Sequence, residues 1–281
     1  MEFIETAVNG MVYLASCFVL FFLGKIIYQL FHRKIDVKKE LVEKDNFAFG
    51  LAHVGYFIGL LLAIGSAIIG PSHGLAQDLI DIFLYGILSI VLLNISIIIN
   101  DKVILRKFVV YKEIIEDRNE GTGIIEAGNA IATGLVLMGA VIGEGGMITA
   151  LAFWLLGQLI LIFTSFVYSW IVPYDVHKHI EKDNVAVGIG FAGALIAIGN
   201  LIRYGLMTDF ESWGMTLANV GIDVAVGLVL LPIVRYLTDK ILLPGQSLTD
   251  ELINQEKPNY GAATIEAFAY IGGSVLITWS L

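Results

Sequence analysis

The chain has 281 residues, 57% hydrophobic and only 15% charged, with a mean hydropathy of +0.80, a balance that excludes an ordinary water-soluble domain. Its 17 basic against 26 acidic residues, a net charge of -9, exclude nucleic acid as a partner, because a phosphate-binding surface needs a Lys/Arg surplus. One cysteine, Cys17, excludes an intrachain disulfide and a cysteine-based metal site.

A hydrocarbon core of about 30 Å needs roughly 20 apolar residues as helix. The first run that qualifies is Val8 to Leu30; its leader carries Glu2 and Glu5 and no basic residue, so it reads as a retained helix and not a cleavable signal peptide. Seven more follow: Phe47 to Gly70, Leu79 to Asn100, Thr122 to Ile142, Met147 to Val172, Val185 to Ile202, Trp213 to Leu237, and Tyr260 to Leu281. Helices are expected because in lipid every backbone amide must be paired within its own segment, and these runs are too long and uniform for barrel strands. The fold class that follows is all-α, a polytopic transmembrane bundle of eight spans.

Basic residues set the orientation. Sixteen of 17 fall at or after the ends of odd-numbered spans, from Lys25 and Arg33 to Lys240 and Lys257, with Arg203 the exception. That side is expected to be cytoplasmic, with both termini outside. Trp213 and Trp279 then mark the outer interface and Trp170 the inner one. The inner segment His32 to Asn46 has two readings, a short helix on the bilayer surface or a solvated charged loop.

Internal repetition is the most informative feature. Asn46, Asn119, Asn184 and Asn259 each close a charged loop and open a glycine-rich run: NFAFGLAHVG, NEGTGIIEAG, NVAVGIGFAG and NYGAATIEAF. Asn46 to Asn184 is 138 residues and Asn119 to Asn259 is 140, so the chain divides into two four-helix halves, 1–143 and 144–281, built from four parallel two-helix repeats. Asparagine suits a helix start because its side chain accepts from a free amide of the first turn. Four positions on stand Gly50, Gly123, Gly188 and Ala263, and small residues there and on a second stripe predict even helices packed closely on two sides. The odd helices are expected to face lipid.

The basic inner loops, the Asp-Lys pairs at Asp101-Lys102 and Asp239-Lys240, and the Asn-opened glycine-rich helices resemble the YjfL-like family of bacterial inner-membrane proteins (domain of unknown function 350), in tandem over nearly the whole chain. The resemblance implies a bacterial plasma-membrane protein with no established activity. Pro173-Tyr174-Asp175 replaces the Asp-Lys of the pattern after the fifth span.

Seven positions after each Asn stand His53, Glu126, Phe191 and Glu266, about 10 Å into the helix. An ionisable group at that depth points to function by default. If the four even helices surround an axis, these side chains share a level, and Glu126 beside His53 would exchange a proton near neutral pH. Asp223, with Asn219 one turn before it, adds a carboxylate that would pair with Glu266 or face a vestibule. The alternative for each carboxyl is an interhelix hydrogen bond that fixes packing. The outer surface reads as acidic, with Glu2, Glu5, Asp78, Asp81, Glu144, Asp209 and Glu211 against Arg203, a field that concentrates cations or simply follows from keeping basic residues inside.

Other motifs fail on context. Gly188-Ile189-Gly190-Phe191-Ala192-Gly193 spells GxGxxG inside a span with no strand before it, Asn94-Ile95-Ser96 is buried in the third span, and His177 with His179 is a solvated HxH more readily than a metal site. No zinc-protease, nucleophile-elbow or Walker motif occurs, so an enzyme has little support and no metal or cofactor is expected. The leading expectation is a site for protons or a small cation lined by His53, Glu126, Asp223 and Glu266, for transport or sensing. The alternative is a membrane scaffold that docks cytoplasmic proteins on its inner loops, or a homo-oligomer.

Overall fold

The computed structural model describes residues 2–69, 72–143, 145–207, 212–243 and 245–280, with residues 2–5 described by backbone alone. Its helices are α1 (Glu2–Phe31), α2 (Phe47–Ile69), α3 (Leu75–Val103), α4 (Glu120–Ile142), α5 (Gly146–Ile171), the short α6 (Val176–Glu181), α7 (Val185–Leu206), α8 (Trp213–Leu237) and α9 (Tyr260–Ser280). All but α6 are long and apolar enough to cross a membrane, and no strand occurs among the described residues. The chain is therefore an all-α integral membrane protein. Gly70 and Leu281, expected span ends, lie outside the described residues. Helix α3 starts before its apolar run because Asp78 gathers the chain ahead of it, accepting from Ser72 Oγ at 2.6 Å and from the His73 amide at 2.8 Å.

The even members α2, α4, α7 and α9 stand side by side in that order. The odd members make a second layer: α3 lies over α2 and α4, α5 over α4 and α7, α8 over α7 and α9, while α1 flanks α2 and α3. Helix α7 is buried almost throughout and α1 is mostly exposed, as interior and peripheral positions require. Trp170, Trp213 and Trp279 are 76%, 47% and 80% exposed, consistent with interfacial anchors. The arrangement around an axis is corrected: the even helices form a row, so α2 and α9 are its two edges. The row runs without a break through the junction of the two halves.

Glycine sets the spacing of the row. Gly55 lies against the Ala127 backbone and Gly123 against Ala48 between α2 and α4; Gly128 faces Ala192 and Gly188 faces Gly121 between α4 and α7; Gly193 faces Ala267 between α7 and α9. None leaves room for a methyl group, so the backbones touch where no hydrophobic drive separates helix from lipid. Gly50 departs from the expected stripe. A Cβ there would meet only Leu41 Cδ2, at 3.8 Å, because its face of α2 is an edge with no even helix beyond it. Both edges carry bulk where the interior carries small residues: Val54 and Leu61 on α2, Phe268 and Trp279 on α9, all more than half exposed. Such edges end the row toward lipid, as terminal repeats do in stacked arrays.

Each Asn caps its own helix, with Oδ1 accepting from the amides of Phe49 (3.1 Å), Thr122 (2.8 Å), Val187 (3.1 Å) and Ala262 (3.0 Å). Three also reach into the next repeat: Asn46 Nδ2 donates to the Ile114 carbonyl, Asn119 to Ile180 and Asn184 to Leu252, at 2.9, 2.7 and 2.9 Å. Asn259 donates to Glu251 Oε2 at 2.8 Å, the counterpart of the bonds from Asn46 to Glu40 and from Asn119 to Glu113, and makes no forward bond among the described residues. Asn119→Ala is therefore expected to lower stability by about 2 kcal/mol, a lost cap plus a lost buried bond. Asn259→Ala should cost roughly half as much. Thermal unfolding of both variants in one detergent compares them.

The connecting segments carry short helical turns, held at their buried glutamates. Lys39–Glu43, Lys112–Glu116 and Asp250–Asn254 each form a single π-helical turn. Glu40 and Glu113 are buried and accept from Asn46 and Asn119 at 3.1 and 2.9 Å. Burial pushes the Glu40 carboxyl up, but bonds from Lys44 and Asn46 outweigh it and hold it below its ordinary value. Burial wins at Glu113, which stands above its ordinary value despite Asn119. Asp45, Arg118 and Asp183, just before three of the asparagines, take positive φ of 48°, 54° and 57°, turning the chain into the next helix.

Candidate functional site

Each repeat sets the residue seven places after its Asn against a partner on its own odd helix. His53 packs on Tyr28 with ring centroids 4.8 Å apart, Glu126 lines one cavity with Asp101, Phe191 stacks on Tyr168 at 5.0 Å, and Glu266 is ion-paired with Arg235. One level of the bundle thus carries four different chemistries. It lies toward the basic end, where the charged connections cluster.

The expected constellation of His53, Glu126, Asp223 and Glu266 is corrected, because the row keeps its members apart. Tyr28 lines both the cavity that holds Glu126 and the groove that holds His53, and its ring packs on His53. Helix α7 separates Glu126 on α4 from Glu266 on α9. Asp223 lies against Gly205 near the far end of α7, and twelve residues of α8, about 18 Å of rise, separate it from the Arg235 that holds Glu266.

Asp101 on α3 and Glu126 on α4 bring two carboxyl groups to the wall of one cavity. A hydrogen bond between two carboxyl groups requires a proton, since ionised oxygens only accept. Asp101 Oδ1 and Glu126 Oε1 are buried and have no hydrogen-bond partner among the described residues. No Lys or Arg ion-pairs with either among those residues; Lys102, next in the chain, points to the surface. The shared cavity encloses about 80 Å³, and its other walls include Tyr28, His32, Tyr111 and Ile114. Of the lining residues, His32 is half-buried and Tyr111 exposed, both next to the basic connections. Burial holds the His32 imidazole below its ordinary value, against the opposing bond to the Tyr28 carbonyl.

A buried polar seam continues beyond the pair. Asn100 Nδ2 donates to Asn129 Oδ1 at 2.7 Å, Gln158 donates to Asn100 Oδ1, and Thr133 lies 3.5 Å from Asn100 Nδ2. Asn129 Nδ2 and Gln158 Oε1 have no partner among the described residues, an uncommon condition for buried amides. Gln158 comes from α5, so the second half completes the wall of the first half's site.

Glu266 is closed off instead. Arg235 binds it, Tyr270 OH donates to Oε1 at 3.2 Å, and a Cβ on Gly190 would stand 2.5 Å from Oε2. Arg235 also donates to Thr249 Oγ1 at 3.1 Å and stacks over Tyr174 at 5.7 Å. That Tyr174 belongs to the segment departing from the Asp-Lys pattern. Asp239 of the second Asp-Lys takes the Leu248 amide at 2.6 Å and does not face Glu266.

The remaining candidates have ordinary roles. The HxH is not the solvated pair expected: His177 is buried and its Nε2 donates to the Ile104 carbonyl at 2.7 Å, while His179 packs edge-on to Tyr174. No group of three metal-binding side chains occurs among the described residues. At the other end, a cavity of about 360 Å³ is lined by Tyr13, Asp78, Asp81 and Tyr85. Of the expected acidic surface, Glu144, Asp209 and Glu211, with the side chains of Glu2 and Glu5, lie outside the described residues.

Sequence reasoning missed Asp101 and Arg235, reading the first as a helix-end motif and the second as a topology charge. It also missed Glu40, Glu113 and Glu251. Their signal was a second rhyme before each Asn, Lys39-Glu40-Leu41, Lys112-Glu113-Ile114 and Asp250-Glu251-Leu252.

Comparison with known proteins agrees with this duplicated architecture. A curated relative, the UPF0719 transmembrane protein of Aquifex aeolicus (strain VF5), is 22% identical over 200 residues, covering 70% of this chain and 72% of the relative. No solved structure matches. The family described as Domain of Unknown Function (DUF350) matches twice, over residues 2–141 and 143–281, so the chain belongs to that family as a tandem of two copies.

Proposed function

We propose that the Asp101–Glu126 pair is an exchange site for a proton or a small monovalent cation, reached from the basic end, and that the chain transports or senses that ion. The observation that carries this reading is the contrast between the halves: buried Glu266 has a cation built into the chain, Arg235, whereas Glu126 has a second acid, Asp101, on the wall of one cavity with half-buried His32 and exposed Tyr111. A carboxyl pair without a tethered cation must be neutralised by something mobile. This reading takes the basic end as cytoplasmic, which the Lys/Arg distribution supports, with both termini outside and the membrane a bacterial plasma membrane. The residues 1–143 then act as the working half and 144–281 as its brace.

The test is flux in reconstituted vesicles under imposed proton, sodium and potassium gradients. Asp101→Asn and Glu126→Gln are each expected to lower flux by about ten-fold or more, the scale on which loss of one polar partner acts. Asp223→Asn should leave it unchanged. If both carboxamide variants match wild type in every gradient, transport is rejected. A stoichiometric soluble partner lost when Arg33, Lys34, Lys38 and Lys39 are neutralised would then favour the scaffold.

A further inference from the structure

His53, with no place in the carboxyl site, faces a different cavity. The groove between α1 and α2 encloses about 320 Å³ and is lined by Lys25, Gln29 and His53 over an apolar floor of Phe22, Ile26 and Leu30. His53 is only 3% exposed, and its Nδ1 is buried with no hydrogen-bond partner among the described residues. Lys25 is exposed on a lipid-facing helix, six residues before its end, about 9 Å inside. No ion pair holds its ammonium among the described residues.

Each fact sets a requirement. An unpaired ammonium at that depth is costly and calls for an anion. A buried imidazole nitrogen calls for a hydrogen-bonding partner, and hydrocarbon supplies none. The floor calls for an acyl chain: Leu14, Phe18 and Phe22 follow one another at four-residue spacing toward the far end of α1, 58%, 66% and 63% exposed. Only an amphiphile with an anionic head and a hydrocarbon tail meets all three. The open side of the groove is the bilayer itself, so a lipid enters without crossing water.

We infer that this groove is a binding site for one anionic phospholipid, its phosphate on Lys25 beside the His53 ring and one acyl chain along Phe22, Phe18 and Leu14. Arg33, which donates to the Leu30 carbonyl, and the basic residues that follow it are not part of the groove's lining. The groove is distinct from the cavity of the carboxyl pair, though Tyr28 lines both.

The experiment is native mass spectrometry of the full chain, purified in mild detergent, delipidated and titrated with dioleoyl phosphatidylglycerol or dioleoyl phosphatidylcholine. Wild type is expected to retain one phosphatidylglycerol per chain and to prefer it over phosphatidylcholine by about five-fold or more, the scale of one lysine's attraction to an anionic head. Lys25→Met should erase that preference, Lys25→Arg should restore it, and Arg33→Ala should leave it unchanged. Lys25 is exposed, so its variants fold; His53→Phe, which keeps the ring packing, should weaken retention. Excess inorganic phosphate should not displace the lipid. Equal retention of the two lipids, indifference to Lys25→Met, displacement by phosphate, an equal effect of Arg33→Ala, or a dimer without lipid would each overturn the inference.

Discussion

Arg235→Leu is expected to destabilise the protein by about 3–5 kcal/mol, the cost of leaving one member of a buried ion pair alone. Glu266 is fully buried on α9, and apart from Arg235 the one hydrogen bond it receives among the described residues is from the Tyr270 hydroxyl. Leucine keeps the apolar contacts of the arginine stem but leaves the carboxyl without its countercharge. Glu266→Gln alone should cost less, because Arg235 retains Thr249 and the Tyr174 ring and lies 11% exposed near the basic end. The decisive variant is the double one. Arg235→Leu with Glu266→Gln should recover most of the loss, since replacing both charges removes the unpaired one. Thermal unfolding of the four proteins in one detergent gives the cycle; a double variant as unstable as Arg235→Leu would mean that the arginine acts through packing. Glu126→Gln should be nearly silent in the same assay, because its partner is already another acid.

Gly128→Leu is expected to abolish the folded bundle. A Cβ at that position would lie 2.7 Å from Ala192 Cα, and the obstacle is the α7 backbone, not a side chain that could rotate away. Core overpacking ordinarily costs about 1–3 kcal/mol. Here α4 and α7 would have to separate along their whole contact, breaking the Asn119 bond to Ile180 as well, so the loss should exceed that range. Gly221→Leu on α8 is the control. Nothing lies within 4 Å of a Cβ there, and stability should stay within about 0.5 kcal/mol of wild type. Detergent-solubilised yield and size-exclusion profiles distinguish the two outcomes.

The spans were legible because each is a long apolar run, and the repeats because a cap must recur wherever a helix begins. Glu126 and Glu266 were legible as buried acids from depth alone. What each acid faces was not, since spacing fixes height along a helix but not whether four helices close into a ring or stand in a row. Asp101 and Arg235 sit at helix ends, where charge is ordinarily spent on topology, and only the packing of α3 on α4 and α8 on α9 turns them inward. Gly50 misled for a related reason: it repeats the stripe of Gly123 and Gly188, but its helix has no neighbour on that side.

The asparagine links run one way, each amide reaching forward to a carbonyl made later in synthesis. A repeat emerging first therefore stays incomplete until its successor arrives, and assembly acquires a direction from N-terminus to C-terminus.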